Sequence, residues 1–207
     1  MTILALEFSS EQRSVALARE GVVLAEACEL GGRDTKAFAL IEKVLAAAKI
    51  VREEIEMIVV GLGPGSYTGI RAAIAVAQGW QLARGVKLLG ISSAECLAAQ
   101  AQGIFGRMNV VIDAQRGEFY LATWEISAAA RAEIAPLKIV AAAEIETRKL
   151  AGEICVGPAA EPVLFPSAAM LARLAVGRSD FVAGEDLSPI YLRETSFVKA
   201  PAQRRVI

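Results

Sequence analysis

The 207 residues carry 22 Lys and Arg against 23 Asp and Glu, a formal net charge of −1, which argues against an electrostatic nucleic-acid binder with its strong basic stripe. Hydrophobic residues make up 55% and the mean hydropathy is +0.45, above the ~45–50% apolar content of ordinary soluble chains, so much apolar surface must be hidden in a core or against a partner. The chain has no histidine. That removes Ser-His-Asp and Cys-His catalysis, histidine-ligated metals and imidazole as a general base, and leaves carboxylates, hydroxyls, Lys and backbone donors.

Along the chain, Met1 to Phe8 has neither a basic leader nor a long apolar run, so no signal peptide is expected. No stretch reaches the ~18 apolar residues of a membrane span, and a cytoplasmic protein is expected. Ile3–Phe8, Ser14–Arg19 and Val22–Glu29 read as an antiparallel strand meander, with a polar turn over Ser9–Arg13 and a tight one at Glu20-Gly21. Asp34 or Thr35 is positioned to cap a helix running to about Lys49. Ile55–Val60 is a strand. It leads into Gly61-Leu62-Gly63-Pro64-Gly65-Ser66-Tyr67-Thr68-Gly69, with four glycines in nine residues, and then a helix to about Arg84.

This loop has two readings. A helix start offers free N–H groups and a positive dipole end, which suit an anion. Equally, the glycines allow a turn that starts a helix against another backbone. It matches neither a P-loop, which needs Lys then Ser or Thr after the last glycine, nor a dinucleotide fingerprint. Ser66 and Thr68 are potential caps.

Val86–Ile91 reads as a strand and Ser92 or Ser93 as the cap of a helix through about Gln102. Asn109–Asp113, a turn over 114–117 and Glu118–Glu125 then repeat the opening layout of strand, acid, polar turn, strand. Beyond lie a short strand over Lys138–Val140, a helix over Ala142–Leu150, a strand over Ile154–Val156, a helix over Ser167–Val176 and extended chain over Pro189–Arg193. Cys28, Cys96 and Cys155 are too far apart for a zinc or disulfide framework and read as free thiols.

Both helices of the first half carry much apolar surface. In the first, Phe38, Ile41 and Leu45 lie on a broad apolar arc. In the second, only Arg71, Gln78 and Gln81 are polar between Ile70 and Ala83. Its small residues Ala72, Ala75, Gly79 and Ala83 recur at helical spacing and permit close approach of another helix. It is either an internal helix buried on all sides, or a helix with one face on its sheet and another, including Val76, on a partner protein.

Taken in order, Glu7-Phe8-Ser9-Ser10, Gly61 to Arg71, Ile112-Asp113-Ala114-Gln115-Arg116-Gly117-Glu118-Phe119-Tyr120 and Pro189-Ile190-Tyr191-Leu192-Arg193 resemble the TsaB/YeaZ family over nearly the whole chain. These are the bacterial partner proteins of threonylcarbamoyl-adenosine tRNA modification. The resemblance implies an α/β, actin-like ATPase fold (the ribonuclease H-like class), with two related lobes, 1–103 and 104–207, the second smaller and degenerate. It also implies a non-catalytic scaffold that pairs through helices of its first lobe with TsaD, the transferase. TsaE, an ATPase, joins the pair, and tRNA is engaged only indirectly. The partner face would be Phe38, Ile41, Leu45, Ala72, Ala75, Val76 and Gly79, used for a homodimer when the chain is alone.

TsaD-like proteins hold their metal through a histidine pair that this chain lacks, and nothing supports peptide hydrolysis. Family members usually have Asp then Thr where Glu7-Phe8 stands, and Arg is common at the position of Gln115. No cofactor is required on this reading. The alternative is an active ATPase or small-molecule kinase: Glu7 and Asp113 would face each other and hold magnesium with ATP or ADP, while Ser9, Ser10, Gly63, Gly65 and Ser66 contact phosphates. Against it, Glu7 and Asp113 can equally serve their own turns. A third reading is direct tRNA binding by Arg193, Lys199, Arg204 and Arg205, which otherwise form a solvated tail.

Overall fold

The computed structural model describes residues 1–31, 36–101, 104–161 and 163–193. Five strands form the first sheet: β1 (Thr2–Glu7), β2 (Gln12–Arg19), β3 (Val22–Leu30), β4 (Met57–Gly61) and β5 (Lys87–Ile91), in the order β3-β2-β1-β4-β5. β1 to β3 are antiparallel, whereas β4 and β5 run parallel to β1. Parallel neighbours need crossover helices, and α2 (Tyr67–Arg84) supplies the one between β4 and β5.

Helices cover both faces of this sheet, so its central strands are apolar on both sides rather than alternating. Leu4, Leu6, Val15, Leu17, Ile58 and Val60 pack on one face with α1 (Ala37–Ala48) and α2. The other face carries Ile3, Ala5, Ala16, Ala18, Met57 and Val59. Its alanines let α3 (Ser93–Gln100) and α5 (Ala168–Leu174), themselves built largely of small residues, lie close to the strands.

The second sheet comprises β6 (Gly106–Asp113), β7 (Glu118–Ile126), β8 (Arg131–Ala141) and β9 (Ile154–Val156), in the order β8-β7-β6-β9, with α4 (Ala142–Leu150) between β8 and β9. Pairing repeats the first four strands: β6 is antiparallel to β7, β7 to β8, and β9 is parallel to β6. The two sheets therefore share one topology, the smaller one lacking a counterpart of β5 among the described residues. This is the two-lobed α/β actin-like arrangement. α3 lies between the lobes: Cys96 and Ala99 pack with the first, and Ala94, Leu97, Ala98 and Ala101 with the second.

A division into 1–103 and 104–207 misplaces one element. α5 returns to the first lobe, where Ala168, Leu171, Ala172 and Ala175 pack on β1 and β2, and Val182 bridges to Leu88. Ser14 Oγ on β2 accepts from the Ala168 amide at 2.9 Å, so the start of α5 is bonded to the first sheet. The expected caps Asp34 and Thr35 lie outside the described residues, as do Lys199, Arg204 and Arg205. β8 is far longer than the expected strand over Lys138–Val140. Its N-terminal half is exposed and takes strand form through pairing with β7.

Candidate functional site

The glycine loop between β4 and α2 lies directly on the end of β1. Side chains built onto it would strike main chain: a Cβ at Gly65 would sit 2.1 Å from the Ser9 carbonyl oxygen, and one at Gly69 2.0 Å from that of Phe8. Gly65 is also left-handed, at φ +146°, and the Ser66 amide donates to the Ser9 carbonyl at 2.6 Å. The peptide between Gly63 and Pro64 is cis. Ser66 caps α2, its hydroxyl accepting from the Gly69 amide at 3.3 Å. Thr68 is exposed and is not the cap. The loop therefore serves as a turn that starts a helix against another backbone.

Glu7 is buried beneath the loop, 0% exposed. Its Oε1 accepts from the Ser9 amide at 2.7 Å and its Oε2 from the Ser93 hydroxyl at 2.8 Å. Gly61 leaves room for this carboxylate, since a Cβ there would fall 2.0 Å from Oε2. Burial raises the Glu7 pKa above 4.5, partly offset by hydrogen bonds from Ser9 and Ser93. Because the folded-state pKa lies above the unfolded one, the fold binds this proton more tightly than the unfolded chain does. The resulting stability is full below 4.5 and lost as pH rises through the folded pKa. Thermal midpoints taken from neutrality down toward 4.5 should thus show a rising contribution that Glu7→Gln removes; an unchanged profile in that variant would contradict the assignment.

Above the loop, a cavity of about 690 Å³ opens between the two sheets. Ser9, Ser10, Gly65, Ser66 and Asp113 line it, as do Arg13, Tyr67, Thr68 and Gln115. Five of the seven expected cleft residues are thus brought together. Glu7 and Gly63 are not among the lining residues. Glu7 has both carboxylate oxygens committed below the loop, and Gly63 packs against Ile70. The expected magnesium pair of Glu7 and Asp113 facing each other is therefore not formed.

Asp113, at the end of β6, accepts from the Gln115 amide at 2.7 Å and from its side-chain nitrogen at 2.8 Å. This is an Asx-type turn that supports Gln115 and Arg116, both at positive φ (65° and 62°). Ser10 donates to the Gln12 carbonyl at 2.7 Å. Among the described residues no group of three or more Cys, Asp or Glu is placed to hold a metal ion.

The segment after α5 fastens the two lobes. Tyr191 stacks on Tyr67 at 5.4 Å between ring centroids. Arg193 donates to Glu118 at 2.6 Å and to the Ala114 carbonyl at 3.0 Å. Arg193 is therefore ion-paired within the chain rather than a member of a free basic cluster.

The second surface of interest is the outer face of α2. Gly69, Ile70, Ala73, Ile74 and Ala77 face the sheet, while Ala75, Gly79, Leu82 and Ala83 are exposed and Ala72 and Val76 half-buried. The helix is not internal. Between α2 and the start of α1 runs a groove of about 320 Å³ walled by Phe38, Ala75, Val76, Gly79, Trp80 and Ala83. Phe38 is 59% exposed, but Ile41 (0%) and Leu45 (5%) are core residues. Their expected place on a partner face is corrected: they form the inward side of α1 against the sheet. Trp80, which completes the groove, was not among the residues expected there. Its position one turn beyond Val76 on the same helix was the available signal.

A family model described as TsaD: tRNA N6-adenosine threonylcarbamoyltransferase matches residues 34–178. The Bacillus subtilis protein named tRNA threonylcarbamoyladenosine biosynthesis protein TsaB is 31% identical over 127 residues, covering 60% of this chain and 56% of that protein. Its Escherichia coli namesake is 33% identical over 132 residues, covering 60% and 55%. The matches span little more than half the length of these curated relatives. An uncharacterized protein of Mycobacterium tuberculosis is 32% identical over 206 residues, covering 93% of this chain and 92% of its own. The solved structure of YeaZ from Pseudomonas aeruginosa superimposes with a TM-score of 0.77 at 25% identity, covering 92% of this chain and 99% of that one. From the family match over most of its length, these relatives and the shared two-lobed fold, the chain belongs to the TsaB/YeaZ family.

Proposed function

We propose that this chain is a non-catalytic subunit in tRNA threonylcarbamoyladenosine biosynthesis that binds and supports a TsaD-type transferase. The observation that carries the proposal is the exposed apolar face of α2, where small residues sit beside Leu82 at 91% exposure and Phe38 at 59%. A contiguous apolar face of this kind, bordered by Arg52, Glu53 and Arg84, has the composition of a protein interface. Gly79 and Ala75 let a partner helix approach closely, and Phe38 fills the space beside it. Without the transferase the same face supports a two-fold homodimer. TsaE joins as a third component, tRNA is reached only through the assembly, and no cofactor is required of this chain.

The catalytic alternative asks Glu7 and Asp113 to share a metal, and Glu7 is committed to the Ser9 amide and the Ser93 hydroxyl. In cells lacking this chain, threonylcarbamoyladenosine should disappear from nucleosides released from tRNA. Asp113→Ala should restore it to within about twofold of wild type, since its turn costs only about 1 kcal/mol when lost. Mass spectrometry of the nucleosides checks this. Undiminished modification without the chain would defeat the proposal, and a folded Asp113→Ala protein that restores none would favour the catalytic alternative.

A further inference from the structure

We propose that residues 181–193 form a releasable strap, anchored firmly on one flank of α2 and holding the second lobe closed through a single exposed clasp, Arg193. Arg71, Gln78 and Gln81, the polar residues of α2 between Ile70 and Ala83, recur with Tyr67 and Ile74 at alternating intervals of four and three. That spacing is one stripe down one side of a helix, and the strap is held along it. Gln78 Nε2 donates to the Gly184 carbonyl at 2.7 Å, and Gln81 Oε1 accepts from the Gly184 amide at 2.7 Å. Two side chains of α2 thus take both main-chain groups of one buried residue. On either side of it, the Val182 amide donates to the Leu88 carbonyl at 3.0 Å, and Leu187, 5% exposed, belongs to the core of the first lobe. The Ile190 amide then donates to the Leu62 carbonyl at 2.9 Å.

Beyond Ile190 the hold weakens. Tyr191 is half exposed, and it stacks on Tyr67, over which the Arg71 guanidinium also lies, 5.1 Å from the ring centroid. Among the described residues, every hydrogen bond from the strap to the second lobe comes from Arg193, to Glu118 and the Ala114 carbonyl. The Arg193 and Glu118 side chains are 34% and 39% exposed. An ion pair so open to solvent is weak and screened by salt. The two places where the main chain itself crosses between lobes, after α3 and before α5, are bolted together instead. Gln100 at the end of α3 donates to the Phe165 carbonyl at 2.8 Å and accepts from the Ser167 amide at 2.8 Å. Two linked covalent crossings make a hinge, and one solvent-exposed side-chain contact makes the side that opens. Phe165 lines the interlobe cavity from the hinge, and Tyr67 and Ala114 line it where the clasp sits. Release of Arg193 therefore lets the second lobe turn about the end of α3 and widen the cleft. The stripe shares no residue with the groove beside Phe38, so the clasp stands or falls apart from the partner proposal.

Pulsed electron–electron distance measurement tests the clasp. Spin labels go on Glu185→Cys, exposed beside the anchor, and on Ala143→Cys, exposed at the start of α4, whose Ala142 amide donates to the Gly117 carbonyl in the clasped turn. Cys28→Ser removes the exposed native thiol, while Cys96 and Cys155 are buried. In the Tyr191→Ala/Arg193→Ala variant a longer-distance population should rise about tenfold over wild type, with the melting temperature nearly unchanged because both side chains are partly exposed. Arg193→Lys, which keeps the charge, should fall between them. Raising NaCl from about 0.05 M to about 1 M should lengthen the wild-type distances and leave Arg193→Ala unmoved. Distances in the double variant that match wild type, or a salt response undiminished in Arg193→Ala, would overturn the proposal.

Discussion

Replacing Gly65 by alanine is expected to cost about 4 kcal/mol, among the largest effects of a single substitution. The added methyl would meet the Ser9 carbonyl oxygen at 2.1 Å and its carbon at 3.0 Å, and both are main chain rather than the yielding end of a side chain. The residue is left-handed at φ +146°, a conformation an L side chain resists. Relief would mean pulling the loop off β1, which breaks the 2.6 Å bond from the Ser66 amide to the Ser9 carbonyl. It would also disturb Glu7 below, which holds the Ser9 amide. At about 2–4 °C per kcal/mol for a chain of this size, the melting temperature should fall by roughly 8–16 °C. Gly79→Ala is the control: nothing lies within 4 Å of its added carbon, and an exposed helical Gly→Ala change should stabilise by about 1 kcal/mol. If Gly65→Ala melts like wild type, the loop does not rest on β1 as described.

The second large effect is on association. Gly79→Asp should weaken binding to a TsaD-type transferase at least ~100-fold, about 2.7 kcal/mol, while the isolated chain folds as before. Gly79 faces solvent in the single chain, and aspartate is no worse than glycine in a helix, so the fold has no reason to suffer. At a close helix contact the carboxylate would be stripped of water without a partner, and that desolvation supplies the loss. Ile41→Asp gives the contrasting result. Ile41 is fully buried under the first sheet, and this variant should fail to fold. The pair separates the outer face of α2 from the core of α1 by one measurement each of melting and binding.

The first lobe was legible because its central strands β1 and β4 are apolar almost throughout, and because Ser66 and Ser92 start α2 and α3 as caps while Gly85 ends α2. The repeat was legible as pattern, strand-acid-turn-strand, and the pairing of β6, β7 and β9 shows the same topology behind it. β8 was mostly hidden. Arg131, Glu133 and their neighbours carry little apolar alternation, and their strand form comes from pairing with β7 rather than from local preference.

Site residues were harder to place. An acid ending β1 reads as a cleft acid, and only the closeness of Gly61 and Ser93 shows that Glu7 points down into the protein. For α1, periodicity identified the apolar arc but could not say which edge of it met the sheet; Phe38 lies on the outer edge and Ile41 and Leu45 on the inner. Arg13 was passed over as part of a polar turn. Its even spacing with Val15 and Leu17 was the signal that it would be drawn into the core. C-terminal to α5, the ties of Tyr191 and Arg193 across the lobes depend on contacts distant in sequence, to Tyr67 and Glu118, and no local pattern announces them.

The central claim, that this chain works by gripping a transferase through α2, is tested most directly by mixing it with the TsaD-type protein of its own host and measuring mass by size-exclusion chromatography with light scattering. The account predicts a one-to-one complex in which any self-dimer of the chain has been consumed, formed without added nucleotide and absent when Gly79→Asp replaces the wild type. Separate elution of the two proteins at micromolar concentration, with the chain folded and its own dimer undisturbed, would contradict it.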